Sequence, residues 1–161
     1  MKIIQKIEPK IQQNFKRKKV AAYCRVSEEK GRTLHSISTQ VSYYSNLIQK
    51  NPEWEYAGVY SDLGVSGTST KRSGFQDMIE DCKKGKIDLI LTKSISRFAR
   101  NTVDLLETVC WLKSIGGGVQ FEKEKIDSLS DDGELMLSLL ASLISFLYKD
   151  LYEKEKSLRY Y

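Results

Sequence analysis

The chain contains few of the residues that build metal sites, disulfide frameworks or flexible linkers. Its 161 residues include one histidine, two prolines and three cysteines. A Ser-His-Asp triad or a histidine metal site would depend on His35 alone, which we interpret as the cap of a helix. Three widely spaced cysteines predict no disulfide framework and indicate a reducing, cytoplasmic compartment. Cys24 and Cys110 lie among apolar residues, and we expect both to be packed in the interior.

Long apolar runs are also missing. The most apolar stretch, residues 135–148, is interrupted by serines and is shorter than the roughly 20 residues that a membrane-spanning helix needs. The first 19 residues carry charges that no long apolar run follows. We therefore expect neither a membrane span nor a signal peptide.

The positive charge is concentrated in two parts of the chain. Residues 1–19 hold seven basic residues and one acid. Their net charge, seven minus one, exceeds the net charge of +5 for the whole chain. We interpret residues 1–18 as a basic arm that is either solvated or in contact with phosphates. Residues 71–100 hold eight basic residues and four acids, so an anion site is expected near them.

Short apolar strands alternate with amphipathic helices along the remainder of the chain. This alternation, with short connections, predicts an α/β three-layer sandwich with a mainly parallel sheet and a long C-terminal helix. The predicted strands are 18–24, 54–62, 87–92 and 118–124, and the predicted helices are about 35–49, 74–84, 102–114 and 132 onward.

Polar residues follow the predicted strands where a parallel sheet places its functional sites. Ser27 follows the first strand, Asp62 and Ser66 follow the second, and residues 93–100 follow the third. Because the carboxyl ends of parallel strands share one edge, we expect these residues to meet there.

A cluster of cations is expected at the same edge. Lys93, Arg97 and Arg100 are four and three residues apart and would share one face if this segment were helical. With Arg25 and Arg72 they would surround a serine hydroxyl. Crowded cations repel each other unless an anion lies among them. A guanidinium group can donate two parallel hydrogen bonds to two oxygens of one phosphate.

Five segments, in order and spacing, resemble the catalytic domain of the serine recombinases, the resolvase/invertase superfamily. They are "YCRVS" (23–27), "SISTQ" (36–40), "YSDLGVSGTSTKRSGFQDMI" (60–79), "KSISRFARNTVDLL" (93–106) and "GELMLSLLAS" (133–142). The resemblance covers about residues 19–145 and is strongest to the large serine recombinases of mobile elements.

The resemblance implies a resolvase-like fold, with residues 19–161 as a catalytic domain whose DNA-binding part is absent. It implies site-specific DNA recombination, in which Ser27 attacks a phosphodiester and keeps the 5′ phosphate as a phosphoserine ester. It also implies DNA and further copies of the chain as partners, no metal and no cofactor. The implied catalytic residues are Ser27, Arg25, Arg97 and Arg100, and the implied substrate-binding residues are Arg72, Gln40, Asp62, Ser66 and Lys93.

Two other classes of function stay open. Residues 143–161 are more apolar and aromatic than the family's usual continuation. The first alternative is therefore a non-cleaving module that self-associates through its C-terminal helix. The second alternative is a metal-dependent nuclease that uses Asp62, Asp88, Asp104 and the acids of 131–134, because two-metal sites need paired carboxylates.

Overall fold

A computed structural model describes residues 16–27, 33–64 and 72–158 of the chain. Strands and helices alternate as the apolar pattern predicts. The elements are β1 (Lys18–Ser27), α1 (Thr33–Lys50), β2 (Trp54–Gly64), α2 (Ser73–Lys83), β3 (Leu89–Thr92), α3 (Ile95–Phe98), α4 (Thr102–Ser114), β4 (Gly118–Phe121), β5 (Ile126–Asp127) and α5 (Asp131–Leu158).

The strands form one five-stranded sheet in the order β2-β1-β3-β4-β5. β2, β1, β3 and β4 are mutually parallel, and β5, which the apolar pattern did not indicate, is antiparallel to β4. Along the ladder of β1 and β2, Arg25 lies beside Asp62 and Ser27 beside Gly64. The winding order reverses between β1 and β3, which makes the carboxyl ends of these two strands the switch point of the sheet.

The core has two layers because side chains of a strand alternate between the faces of the sheet. From β1, Val20, Ala22 and Cys24 pack with Tyr44 and Ile48 of α1. Ala21 and Tyr23 face the other way, where α2, α3, α4 and the first turns of α5 complete the second cluster. This arrangement confirms the predicted three-layer sandwich.

Two local predictions are wrong. Residues 93–100 do not form one helix: α3 spans Ile95–Phe98 only, and Ala99 is extended with φ −111° and ψ 158°. Phe98 and Ala99 are buried in the core. Lys93 and Arg100 lie outside α3 and share no helical face with Arg97. Cys110 is exposed, because it follows the buried Val109 and therefore points away from the core, whereas Cys24 is buried as expected.

Among the α5 side chains that the structure describes, burial is confined to one side of the helix. Leu137 packs into the core, whereas four apolar side chains at intervals of four, four and three residues are exposed by more than half. We call these four residues the α5 stripe: Leu135, Leu139, Leu143 and Phe146. Among the helices that the structure describes, none combines the length and apolar character needed to cross a bilayer.

Candidate functional site

A cavity of about 360 Å³ opens at the carboxyl ends of β1 and β3. Four cations line it: Arg25 from β1, Lys93 and Arg97 from the segment after β3, and Lys123 from the segment after β4. None of the described residues in its wall is acidic. The remaining wall is Val26, Ser36, Gln40, Ser94 and Ser96. Four cations with no acid among the described wall residues make this cavity chemically suited to an anion.

Arg25 is partly held by the fold. One of its terminal nitrogens, Nη2, donates to the Ser96 carbonyl at 2.6 Å. Its Nε is buried and has no hydrogen-bond partner among the described residues. Burial lowers the pKa of Arg25, and the charges of Arg72, Arg97 and Arg100 lower it further. An anion in the cavity would offset both costs, because it supplies an acceptor and a negative charge.

Asp62 holds α2 against the sheet. Its buried carboxylate accepts hydrogen bonds from the Tyr23 hydroxyl at 2.9 Å and from the backbone N–H groups of Gly74 and Phe75 at 2.8 and 2.9 Å. A carboxylate at a helix N-terminus satisfies N–H groups that have no partner within the helix. Burial raises the pKa of Tyr23 to about 12. The hydroxyl therefore stays protonated and donates a hydrogen bond to Asp62.

Arg72 is engaged within the fold. Its Nε and Nη2 donate to the Tyr23 hydroxyl at 3.1 and 3.0 Å, and Nη2 also donates to the Phe98 carbonyl. The guanidinium carbon lies 3.9 Å from the centre of the Phe75 ring. Arg72 is not part of the cavity wall, although its charge acts on Arg25.

Glu122 joins the two sides of the cavity. Its carboxylate accepts from the Tyr43 hydroxyl at 3.1 Å and from the buried Tyr44 hydroxyl at 2.7 Å. Because both tyrosines belong to α1, these bonds hold α1 against the end of β4. Gln40 of α1 and Lys123 after β4 thus line the same cavity.

The structure brings together part of the predicted site. Arg25, Gln40, Lys93 and Arg97 line the one cavity. Arg100 lines an adjacent groove that also includes Lys123. Ser27 is the last residue of β1, two residues beyond Arg25, and its backbone alone is described. Ser66 and most of the basic arm lie outside the described residues.

Sequence reasoning missed Lys123 and the three serines of the wall. The sequence analysis predicted a strand over 118–124, which would have placed Lys123 within the sheet and not at the site. β4 ends at Phe121, so Lys123 lies just past the carboxyl end of a strand next to β3. The signal for it was the general rule that residues after parallel strands form the site.

The carboxylates named for a metal-dependent nuclease lie in separate places. Asp88 precedes β3 and accepts the N–H of Lys19 at 2.8 Å, at the edge opposite the cavity. Asp104, in the first turn of α4, accepts the N–H of Arg100 at 3.1 Å. Within the described ranges, no three histidine, cysteine, aspartate or glutamate side chains form a group able to hold a metal ion. The placement of these acids does not favour a two-metal site.

Comparison with known proteins finds similarity to resolvases. The family described as "Resolvase, N terminal domain" matches residues 20–158. The transposon Tn21 resolvase of Escherichia coli is 30% identical over 108 residues, which are 63% of this chain and 57% of the relative. A resolvase of Clostridium perfringens is 27% identical over 135 residues, 82% of this chain and 65% of the relative. The chain thus spans about half to two thirds of the length of these two relatives.

Two solved structures also match most of the chain. A resolvase family site-specific recombinase from Streptococcus pneumoniae is 31% identical, with a TM-score of 0.69, and covers 88% of this chain and 95% of its own. The N-terminal catalytic domain of TP901-1 integrase is 28% identical, with a TM-score of 0.65, and covers 82% of this chain and 98% of its own.

Proposed function

Because the chain belongs to the resolvase family, we propose that its cationic cavity binds a DNA phosphodiester and that Ser27 attacks the phosphorus. The protein would then act as the catalytic domain of a site-specific DNA recombinase. One observation carries the proposal: Arg25, Lys93, Arg97 and Lys123 line one cavity at the switch point, and none of the described residues in its wall is acidic.

The proposed chemistry exchanges one phosphate ester for another. The Ser27 oxygen forms a bond to phosphorus, the bond from phosphorus to the 3′ oxygen breaks, and the 3′ oxygen leaves as a hydroxyl after gaining a proton. The serine gives up its own proton in the same exchange. Phosphoryl transfer depends mainly on positioning and on cations directed at the phosphoryl oxygens. Arg25, Arg97 and Lys93 supply such cations, with Arg100 in the adjacent groove.

The phosphoserine ester keeps the energy of the original bond. Attack by another 3′ hydroxyl on this ester reverses the step and reseals a strand without a nucleotide cofactor. Gln40 lines the same cavity and is suited to hydrogen-bond a phosphate or sugar oxygen.

The α5 stripe supports a second part of the proposal, self-association. Four apolar side chains spaced four, four and three residues apart, each more than half exposed, form a seam on one side of a single helix. Such a seam is covered best by a like helix. We therefore propose a second copy of this chain as the partner of α5, so that two cavities would act on one DNA duplex.

A covalent adduct tests the cleavage proposal. The chain is incubated with a pool of nicked DNA duplexes of random sequence in the presence of a chelator, and protein-bound DNA is recovered after denaturation with detergent. We expect an adduct from the unaltered chain and none from Ser27→Ala. Ser114→Ala is the matched control, because Ser114 ends α4 and its hydroxyl bonds the Trp111 carbonyl, outside the cavity wall.

Three outcomes would reject the proposal. An adduct that survives in Ser27→Ala would move the nucleophile elsewhere. DNA cleavage that requires a divalent metal would favour the nuclease alternative. DNA binding without any adduct from the unaltered chain would favour the non-cleaving module.

A further inference from the structure

A line of hydrogen bonds crosses the sheet beside the cavity. It begins at Asp62 of β2, passes through the Tyr23 hydroxyl of β1 and the Arg72 guanidinium, and ends at the Phe98 carbonyl. Asp62 also receives two backbone N–H groups of α2, so this end of the line is fixed to the fold. The other end is at the last residue of α3.

Arg72 contacts its neighbours through two of its three guanidinium nitrogens and through the face of the guanidinium group. Two nitrogens converge on the Tyr23 hydroxyl, and one of them also reaches the Phe98 carbonyl. The guanidinium carbon is 3.9 Å from the centre of the Phe75 ring and 5.1 Å from that of Tyr23. An anion that took the Nε and Nη2 donors would have to replace the bonds to Tyr23 and to the Phe98 carbonyl.

The position of the Phe98 carbonyl determines where two proposed phosphate ligands lie. Arg97 precedes Phe98 in α3, and Arg100 follows after the extended Ala99. α3 is a single short turn, held by the bonds from the N–H groups of Arg97, Phe98 and Ala99 to Ser94 and Ile95. So short a helix has little stability of its own and depends on tertiary contacts.

We infer that Arg72 is a positioning residue, which holds the Phe98 carbonyl and through it the segment carrying Arg97 and Arg100, and that it is not itself a phosphate ligand. The inference rests on the proposed function for the identity of the anion, whereas the positioning contacts are independent of it. It differs from the phosphate-binding role that the resemblance implies for Arg72.

The first experiment measures how DNA affinity depends on salt, using the 161-residue chain and a duplex of random sequence. A side chain that neutralises a phosphate contributes about 0.9 to the slope of log K against log salt. We expect Lys93→Gln, in the cavity wall, to lower the slope by about this amount. Arg72→Gln should leave the slope unchanged.

The second experiment measures amide hydrogen exchange at residues 97–100 in the absence of DNA. Arg72→Gln and Tyr23→Phe each remove part of the line and should accelerate exchange by about five- to tenfold, the equilibrium factor of one lost hydrogen bond. The double variant should exchange no more than about twofold faster than either single variant, because both act through one line of contacts. Lys93→Gln is the control and should leave exchange unchanged.

Further variants keep the test decisive. Arg72→Lys preserves the charge. If Arg72 is a phosphate ligand, this variant should leave amide exchange at residues 97–100 unchanged. If Arg72 is a positioning residue, exchange there should be faster. If Arg72→Gln does not fold, Tyr23→Phe still tests the line with Arg72 in place. A fall in the salt slope for Arg72→Gln, or unchanged exchange in Tyr23→Phe, would overturn the inference. An unchanged slope for Lys93→Gln would count against the proposed function instead, and the exchange measurement would still decide the role of Arg72.

Discussion

Replacing Asp62 by alanine should destabilise the domain substantially while leaving the cations of the cavity in place. Asp62 is 7% exposed and accepts three hydrogen bonds, one from Tyr23 and two from the start of α2. Alanine leaves all three donors without this acceptor. The prediction therefore concerns a carboxylate whose contacts are structural, on a strand next to the proposed nucleophile.

The magnitude follows from the environment of each donor. Gly74 and Phe75 are partly exposed, so water can replace part of their bonds, and losing a helix N-cap costs about 1–2 kcal/mol. The Tyr23 hydroxyl is buried, and a hydrogen bond to a charged acceptor contributes about 1.5–3 kcal/mol. Since Tyr23 keeps its contact with Arg72, we expect a total below the upper end of the summed range, about 3–4 kcal/mol. This is a large share of the roughly 5–15 kcal/mol that stabilises a typical domain.

Urea unfolding followed by circular dichroism measures the loss. Asp62→Asn keeps the shape and one acceptor oxygen, so its loss should be intermediate, about 2 kcal/mol. Asp77→Ala is the control, because Asp77 is exposed on α2, and its effect should stay within about 0.5 kcal/mol. A loss below about 1 kcal/mol for Asp62→Ala would refute the reasoning, because it would mean that the three hydrogen bonds contribute little net stability.

Three further predictions concern α5 and the thiols. Leu143→Glu combined with Phe146→Glu should shift the chain toward monomer in sedimentation. The control Ser145→Glu, on another side of α5, should not. An unaltered chain that is monomeric at high concentration would contradict the proposed self-association. Burial raises the pKa of the Cys24 and Cys82 thiols to about 12, so near pH 8 an alkylating reagent should modify the exposed Cys110 first; mass spectrometry showing equal rates would contradict this. Because both thiols hold their protons more tightly in the folded state, the free energy of unfolding should be unaffected by them below pH 9.0 and should fall as the pH rises toward 12.

Local sequence patterns determined the elements other than α3 and β5, and the edge of the sheet at which the candidate site lies. The apolar run at 87–92 predicted a strand, and all four residues of β3 are buried. The helix predicted over about 102–114 is α4, and the side chain of Asn101, just before it, accepts the Asp104 N–H at 2.9 Å. These features depend on neighbours within a few residues, so the sequence carries them directly. The role of Ser27 came from the resemblance and stays a prediction.

Only the tertiary structure decided which cations face the cavity. Arg25, Arg72 and Arg97 are alike as residues, yet Arg72 bonds Tyr23 and the Phe98 carbonyl, 49 and 26 residues away in the chain, and is absent from the cavity wall. Lys123 belongs to the wall because β4 is parallel to β3 and ends two residues before it. Side-chain direction depends on partners distant in sequence, and the packing of strands and helices determines which partners are within reach.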